Sequence, residues 1–182
     1  MLILASQSPR RREILKNAGI EFEIRVADVD ESVVEGESPV DYVKRLALKK
    51  ALAVRMNAGE IVLGADTTVV VDEHILAKPE DEADARRMLG MLAGRWHTVI
   101  TGICLRHQGG EIVDAESTLV RFVAMTPDEI AGYAASGEPL DKAGAYGIQG
   151  LSSKFIDRIE GCYFNIVGLP VSLVWKHLKA VE

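Results

Sequence analysis

Residues 61–71 have the sequence IVLGADTTVVV, an apolar and β-branched run that is typical of a strand in the middle of a sheet. Three polar residues, Asp66, Thr67 and Thr68, interrupt the run. Because burying an unpaired carboxylate is costly, the chain either ends its buried stretch at Asp66 or uses the carboxylate. Gly64 would allow a ligand or another backbone to come close at this point. The alternative is an aspartate that caps a bulge through Thr67 or Thr68.

Helical and strand patterns alternate on both sides of this run. The predicted strands cover residues 2–5, 21–26, 61–71, 96–106, 112–124, 153–159 and 163–167. The predicted helices cover residues 9–18, 39–57, 80–93 and 126–135, with a last helix after Pro170. The glycine-containing turn at 108–111 joins two alternating strands as a hairpin, so the predicted sheet is mixed rather than purely parallel. The pattern predicts an α/β fold and does not require a doubly wound nucleotide-binding fold.

The composition is that of a folded protein, with 48% hydrophobic and 26% charged residues in a chain of 182. This length allows one elongated domain or two small lobes, and a single domain over 1–182 is the starting hypothesis. The net charge of −6 argues against nucleic acids and anionic membranes as partners, because both favour a basic surface. Any phosphate-binding site must therefore be local.

Cysteine content and the N-terminal sequence indicate the compartment. The two cysteines lack CxxC spacing and are too few for a disulfide framework, which fits a reducing cytoplasm. The basic residues of MLILASQSPRRR follow the first apolar run, whereas in a signal peptide they precede it. No apolar run approaches the length of a membrane span. We therefore expect a cytoplasmic protein that does not enter a membrane.

The segment 6–12, SQSPRRR, leads from the first predicted strand into the N-terminus of a helix. Free backbone N–H groups and the helix dipole favour an anion at such a position. Each arginine in the first turn opposes the dipole by roughly 0.3–1 kcal/mol, so a bound phosphate would offset an otherwise unfavourable arrangement. The alternative is that these arginines lie on a solvated face and pair with Glu13 or with the acidic loop at 27–37.

Three further charged residues are candidates for a phosphate and metal site. Lys78 precedes a proline, so it lies in extended or turn backbone with its amine free to reach inward. Lys50 is one of two adjacent helix lysines, of which at most one can share a site with Asp66. Glu31 belongs to the acidic loop at 27–37, whose carboxylates are ligands of the kind that Mg²⁺ accepts together with phosphate. Taken singly, each is more simply explained as an ordinary surface charge.

The segment 141–150, DKAGAYGIQG, is a glycine-rich loop. Its glycines around Tyr146 and Gln149 suit a backbone that surrounds a planar base, and the Gln149 amide can both donate and accept hydrogen bonds. A purely structural Ω-loop has the same composition.

Several enzyme classes lack their motifs in this chain. It contains no GxxxxGK[ST], no GxGxxG after a strand, no GxSxG and no HExxH, and its four histidines do not share a ligand spacing. These absences disfavour P-loop phosphoryl transfer, dinucleotide-dependent redox chemistry, serine hydrolysis and structural zinc.

Read in order, the segments resemble the Maf family of nucleotide pyrophosphatases. The resemblance covers essentially the whole chain and is carried by ASQSPRRREIL, DES at 30–32, YVKRLALKKA, LGADTTVV, AKP, HTVITG, GEPLDKAGAYGIQG and VGLPV. It implies a mixed, twisted sheet with flanking helices around a central cleft, similar to the fold of the inosine triphosphatases, and commonly a homodimer. The chain departs from the family pattern in connecting stretches such as 107–116 and 152–153.

The resemblance also implies roles for single residues. Asp66 is implied as the proton acceptor, Lys50 and Lys78 as its catalytic companions around the phosphates, and Glu31 as the metal-binding residue. The implied substrate-binding residues are Ser6, Ser8, Arg10, Arg11, Thr67 and Gln149. Arg10, Thr67 and Gln149 match positions tied to base selection.

The implied activity is the hydrolysis of a nucleoside triphosphate to the monophosphate and pyrophosphate with a divalent cation, Mg²⁺ or Mn²⁺. Arginine directly after Ser8-Pro9 is similar to the subgroup that acts on dTTP and UTP, whereas tryptophan there marks a subgroup that acts on methylated guanosine triphosphate. One alternative is a nucleotide-binding regulator of cell division or septum formation that needs no turnover. Another is a hydrolase of the inosine-triphosphate type, which would prefer deaminated purines.

Overall fold

The computed structural model describes residues 1–181, so Glu182, the last residue of the predicted domain, lies outside the described residues. Within them, seven strands form one sheet. The strands are β1 (Leu2–Leu4), β2 (Phe22–Ile24), β3 (Ile61–Val71), β4 (His74–Leu76), β5 (Trp96–His107), β6 (Gly110–Phe122) and β7 (Ile156–Glu160). The helices are α1 (Pro9–Asn17), α2 (Pro39–Ala53), α3 (Glu82–Leu92), α4 (Pro127–Ala135), α5 (Tyr163–Val167) and α6 (Val171–Val181). Short 3₁₀ helices cover Glu138–Asp141, Ala143–Ala145 and Leu151–Phe155.

The sheet is mixed, as the hairpin pattern predicted. Its strand order is β2-β1-β3-β5-β6-β7, and β4 pairs with β3 outside this path. β1 is parallel to both β2 and β3, whereas β4 is antiparallel to β3 and β7 is antiparallel to β6. The predicted α/β class with helices flanking a mixed sheet is therefore confirmed, and the run at 61–71 is an interior strand of that sheet.

The chain divides into two compact units. The first unit contains Met1–Thr67, Thr101–Glu116 and the segment from Gly168, and the second contains Thr68–Ile100 and Ser117–Val167. The first unit has an apolar cluster that includes Ile3, Ala47, Ala51, Val62 and Cys104. The second unit has its own cluster, which includes Leu89, Phe122, Tyr133, Tyr146 and Phe155. The single domain over 1–182 stays a prediction.

Strand β3 continues through Asp66 without the interruption that its polar residues predicted. Asp66 is buried at 7% exposure within the strand. The strand tolerates this carboxylate because the Lys50 ammonium from α2 lies 2.6 Å from Asp66 Oδ1. A charged partner at that distance offsets part of the cost of burial.

Two glycines allow α2 to pack directly on the sheet. A Cβ at Gly64 would lie 2.8 Å from the Ala51 amide nitrogen and closer still to the Ala47 carbonyl oxygen. A Cβ at Gly102 would similarly overlap the backbone between Val43 and Lys44. The expected close approach at Gly64 is therefore made by another backbone, that of α2. This contact fixes the position of the helix that carries Lys50.

We expect Gly64→Ala to lower the free energy of unfolding by about 3 kcal/mol, because the new methyl group meets helix backbone that cannot rotate away. Gly90→Ala in α3 is the matched control, since nothing lies within 4 Å of its added Cβ and alanine is the better helix former. Urea unfolding followed by circular dichroism measures both changes. Equal stabilities of the two variants would contradict the proposed contact between α2 and β3.

Several segments differ from the sequence prediction. Residues 163–167 were predicted as a strand, but they form helix α5, in which the Asn165 amide donates to Val99 O and to Thr118 Oγ1. A short apolar run does not distinguish helix from strand, so this tertiary contact decides. The helix predicted to reach residue 57 ends at Ala53, because Val54 is extended.

The hairpin strand β4 had no sequence signal. Its turn uses Asp72 and Glu73, both with positive φ, and such turns usually contain glycine or asparagine. In residues 1–181, none of the helices combines the length and the hydropathy that a membrane-spanning helix needs.

Candidate active site

The centre of the candidate site is the Lys50 ammonium, which touches two carboxylates of the first unit. Lys50 Nζ lies 2.6 Å from Asp66 Oδ1 and 2.7 Å from Glu31 Oε1. The Asp66 side chain is 11% exposed and that of Glu31 is 51% exposed. The structure thus brings together three residues that the resemblance assigned to catalysis and metal binding, with the aspartate on the inner side.

Burial raises the pKa of Asp66 above its ordinary value. The Lys50 ammonium and the Arg11 guanidinium act in the opposite direction, and the Glu31 carboxylate adds to the increase. A raised pKa makes the carboxylate a better proton acceptor. Perturbed carboxylates of this kind cluster at functional sites.

Helix α2 also holds the acidic loop that carries Glu31. Tyr42 is buried, and its hydroxyl donates to the Glu31 carbonyl oxygen at 3.0 Å. Arg45 donates to the Ser32 carbonyl at 3.0 Å and is paired with Glu37. Burial raises the pKa of the Tyr42 phenol to about 12, so it remains a hydrogen-bond donor. One helix therefore supplies Lys50 and positions the loop that faces it.

Arg11 is buried and braces the strand on both sides of Asp66. Its guanidinium donates to Ala65 O at 2.9 Å and to Thr67 Oγ1 at 3.1 Å. It also donates to Ser6 Oγ at 3.1 Å and to Gly168 O at 2.8 Å. Burial lowers the pKa of Arg11, with the Asp66 carboxylate opposing that change.

A guanidinium has five N–H donors, so these four bonds leave one donor that no residue within 1–181 accepts. Arg11 can therefore brace the protein and still offer a single hydrogen bond to a ligand.

The segment before α1 has the form that the sequence predicted. Ser8 is the N-cap of α1 and its side chain accepts from the Arg11 amide at 3.4 Å. Ser6 is buried at 7% exposure, and its hydroxyl accepts from the Ser8 amide at 3.2 Å. Arg10 follows the first-turn proline and is half-buried. The loop that leads into α1 is therefore ordered by hydrogen bonds to two serine hydroxyls.

Thr67 follows Asp66 and is fixed by several groups of the first unit. Its Oγ1 lies 2.9 Å from Thr101 Oγ1, and it also accepts from Arg11. The sequence patterns of the strand and of the helix did not indicate Thr101 or Tyr42 as site residues. Tyr42 did have a sequence signal. It falls on the buried face predicted for α2, and a buried tyrosine hydroxyl needs a polar partner.

Lys78 and Gln149 belong to the second unit. Both side chains are exposed. Within residues 1–181, Lys78 makes no ion pair and the Gln149 amide makes no hydrogen bond. Their polar groups are therefore free to bind a ligand.

The resemblance to the Maf family implies a divalent cation, and the donors of the first unit fit a cation that arrives with phosphate. Among residues 1–181, no three His, Cys, Asp or Glu side chains are grouped so that they could hold a metal ion by themselves. Glu31 is a half-exposed carboxylate next to a lysine that also contacts Asp66. Mg²⁺ typically takes one or two carboxylates and completes its shell with phosphate and water oxygens.

Comparisons with known proteins agree on one family. The family model described as Maf-like protein matches residues 1–181. A dTTP/UTP pyrophosphatase of Koribacter versatilis is 50% identical over 98% of this chain and 93% of its own length. Proteins with the same description from Symbiobacterium thermophilum and Bacillus cereus are 53% and 49% identical, covering 93% and 98% of this chain and 88% and 94% of theirs.

Among solved structures, the Ham1 protein of Staphylococcus aureus aligns over 100% of this chain and 99% of its own, with a TM-score of 0.49 and 14% identity. The family assignment rests on the sequence comparisons and not on this structural likeness. Since the family model spans the whole described chain and the relatives cover nearly all of it at about half identity, the chain belongs to the Maf family.

Proposed function

We propose that this protein hydrolyses dTTP and UTP, and modified pyrimidine nucleotides of the same shape, to the nucleoside monophosphate and pyrophosphate. The names of the relatives that are about half identical support this substrate class. Arg10, directly after Ser8-Pro9, supports the pyrimidine subgroup over the one that acts on methylated guanosine triphosphate.

The single observation that carries the proposal is the buried Asp66 beside Lys50. Water attacks the α-phosphorus, a P–O bond to water forms, and the bond to the bridging oxygen of pyrophosphate breaks. Asp66 accepts the proton of the attacking water, which its raised pKa favours. Lys50, Lys78 and Arg10 neutralise the negative charge that grows on pyrophosphate as it leaves.

The N-terminal loop serves the phosphates in this proposal. Ser6 and Ser8 order the entrance to α1, where backbone N–H groups favour an anion. Arg11 contributes its remaining N–H to the substrate and keeps the strand around Asp66 in place.

Glu31 is the proposed protein ligand of the divalent cation, which is Mg²⁺ or Mn²⁺. When bound, the cation supplies charge neutralisation on the phosphate oxygens. Base selection is assigned to Arg10, Thr67 and Gln149. We further propose that the chain acts in the cytoplasm, as a single domain over 1–182 and as a homodimer, without nucleic-acid or membrane partners.

Pyrophosphate release from a panel of nucleoside triphosphates, with and without Mg²⁺ or Mn²⁺, tests the proposal. Metal-dependent release from dTTP and UTP supports it. Tight binding of dTTP without any product would instead identify a nucleotide-binding regulator of cell division or septum formation. Preference for ITP or XTP would identify a hydrolase of the inosine-triphosphate type.

The pH dependence of activity gives a further test of the Lys50–Asp66 pair. Lys50 lowers the pKa of Asp66, so Lys50→Gln should raise it. Hydrolysis needs the ionised carboxylate, and the acid limb of kcat/KM should therefore move to higher pH by about 1–3 units. The measurement is the pH profile of pyrophosphate release from dTTP.

Lys49→Gln is the matched control for this profile, because this neighbouring lysine is exposed and, among residues 1–181, its amine hydrogen-bonds only the Asp30 carbonyl oxygen, at 3.5 Å. Its acid limb should coincide with that of the parent. An unmoved limb in Lys50→Gln would mean that Asp66 is not the group that titrates.

A further inference from the structure

The Glu138 carboxylate closes the glycine-rich loop of the second unit. Glu138 Oε1 and Oε2 accept from the Leu151 amide at 3.1 and 3.0 Å. Glu138 Oε1 also accepts from the Tyr133 hydroxyl at 3.0 Å. We call Tyr133, Glu138 and Leu151 the Glu138 clamp. It joins the two ends of the segment that contains Gln149.

Gly150 lies against this carboxylate and leaves space for it. A Cβ at position 150 would lie 2.6 Å from Glu138 Oε2 and closer still to Oε1. The Gly150 backbone has φ −101° and ψ −151°, an extended conformation that any residue adopts. Glycine is therefore needed at position 150 because a side chain would occupy the space of the Glu138 carboxylate. The conformational freedom of the glycine backbone plays no part.

Further hydrogen bonds order the rest of the loop. The Gly150 amide donates to Gly147 O at 3.0 Å, and the Ser152 hydroxyl donates to the same oxygen at 2.7 Å. The buried Tyr146 hydroxyl lies 2.7 Å from His97 Nε2. The backbone on both sides of Gln149 is thus fixed, while the Gln149 side chain is exposed.

We propose that Glu138 is a positioning residue for base selection, which acts by holding the backbone that carries Gln149. This inference rests on the proposed function, in which Gln149 contacts the pyrimidine. Thymine and uracil present an N3–H donor beside carbonyl acceptors, and an amide matches that pair with its oxygen and its NH₂ group. Cytosine presents an acceptor and an amino donor instead. An amide distinguishes thymine and uracil from cytosine only where its position is fixed, since displacement by about 1 Å can remove a large part of the preference.

The first comparison is between Glu138→Ala and Glu138→Gln. Alanine removes the acceptor of the Leu151 and Tyr133 bonds, and we expect KM for dTTP to rise about tenfold with kcat changed by less than about twofold. The preference for dTTP over dCTP should fall by a similar factor. Glutamine keeps an oxygen that accepts both bonds, so Glu138→Gln should retain KM and preference within about twofold of the parent.

The second comparison is a double-mutant cycle with Gly150→Ala. In the parent, the added Cβ displaces the Glu138 carboxylate, so Gly150→Ala should raise KM as Glu138→Ala does. In Glu138→Ala the obstructing atoms are gone, so the second substitution should add little, and the two effects should be strongly non-additive. Gly132→Ala in α4 is the control, because nothing lies within 4 Å of its added Cβ.

Two results overturn the inference while dTTP hydrolysis stands. One is a Glu138→Ala variant in which Tm and kcat fall together while KM and the dTTP preference stay at parent values, which is the behaviour of a residue that only stabilises the fold. The other is additive effects of Glu138→Ala and Gly150→Ala on KM.

Failure of the proposed function is recognised separately, as absence of pyrophosphate release by the parent from every nucleotide of the panel. The clamp is then tested by dTTP affinity in calorimetry, with Gln149→Ala as the reference variant. Weaker binding in Gln149→Ala and Glu138→Ala, but not in Glu138→Gln, supports the inference. Unchanged affinity in Gln149→Ala, or no binding of dTTP by the parent, overturns it.

Discussion

Asp66→Asn is expected to reduce pyrophosphate release from dTTP by roughly a thousandfold while dTTP still binds. Asparagine keeps the shape of the side chain but cannot accept the proton of the attacking water. The phosphate-binding groups, including Lys50, remain in place and keep a partner in Glu31. Turnover assays and calorimetric titration with dTTP measure the two quantities separately.

The same substitution should not reduce stability at neutral pH. Burial raises the pKa of Asp66, so the folded protein holds the proton more tightly than the unfolded chain does. Stability is therefore lost as pH rises from the pKa of the unfolded chain, near the ordinary value of 3.8, to the folded pKa, and the loss persists at higher pH. Asparagine carries no charge, so its Tm should equal or exceed that of the parent at pH 7. This advantage should disappear below the unfolded pKa.

Asp128→Asn provides the matched control, since Asp128 is an exposed residue in the first turn of α4. It should retain full hydrolysis. If Asp66→Asn hydrolysed dTTP at the parent rate, the assignment of Asp66 as the base would be refuted.

Arg11→Lys should cause the largest loss of stability, about 3 kcal/mol or more, even though it conserves the charge. The guanidinium donates in one plane to Ser6, Ala65, Thr67 and Gly168. A lysine amine has three donors on a single atom and cannot reach four acceptors in that arrangement. Buried acceptors left without a donor cost free energy individually.

Hydrolysis should fall with the same substitution, because Arg11 holds residues on both sides of Asp66. Denaturant unfolding and turnover of dTTP, assayed on the folded fraction, measure the two effects. Arg12→Lys on the adjacent, exposed position of α1 is the control and should behave as the parent does. If the two lysine variants were equally stable, the bracing role of Arg11 would be excluded.

The sequence predicted the structure well where residues close together in the chain determine it, as at helix starts and hairpin turns. The patterns predicted helices at 9–18 and 126–135; Ser8 and Thr126 cap these helices, and Thr126 forms the complete capping box with Glu129. The mixed sheet followed from the hairpin pattern at 108–111. The association of Lys50 with Asp66 followed from the family resemblance, and periodicity alone did not indicate it.

The remaining features depend on contacts between distant segments. The inward direction of Arg11 had a local signal, because Arg11, Ile14 and Leu15 lie at helical spacing on the buried face of α1. Its four acceptors are dispersed along the chain, and no local pattern contains them. The same holds for Gly150. Glycine is needed there because a side chain would overlap the Glu138 carboxylate, and Glu138 lies twelve positions earlier in the sequence.

The seating of α2 on Gly64 and Gly102 has a consequence for how mutational data on this protein should be interpreted. Any side chain at either position pushes the helix outward, and the Lys50 amine moves with it. A saturation library screened for activity should therefore identify positions 64 and 102 as intolerant, as strictly as position 66. Those two sites would resemble catalytic residues in such a screen, although glycine has no functional group to contribute and its role is to let the helix sit low enough on the sheet.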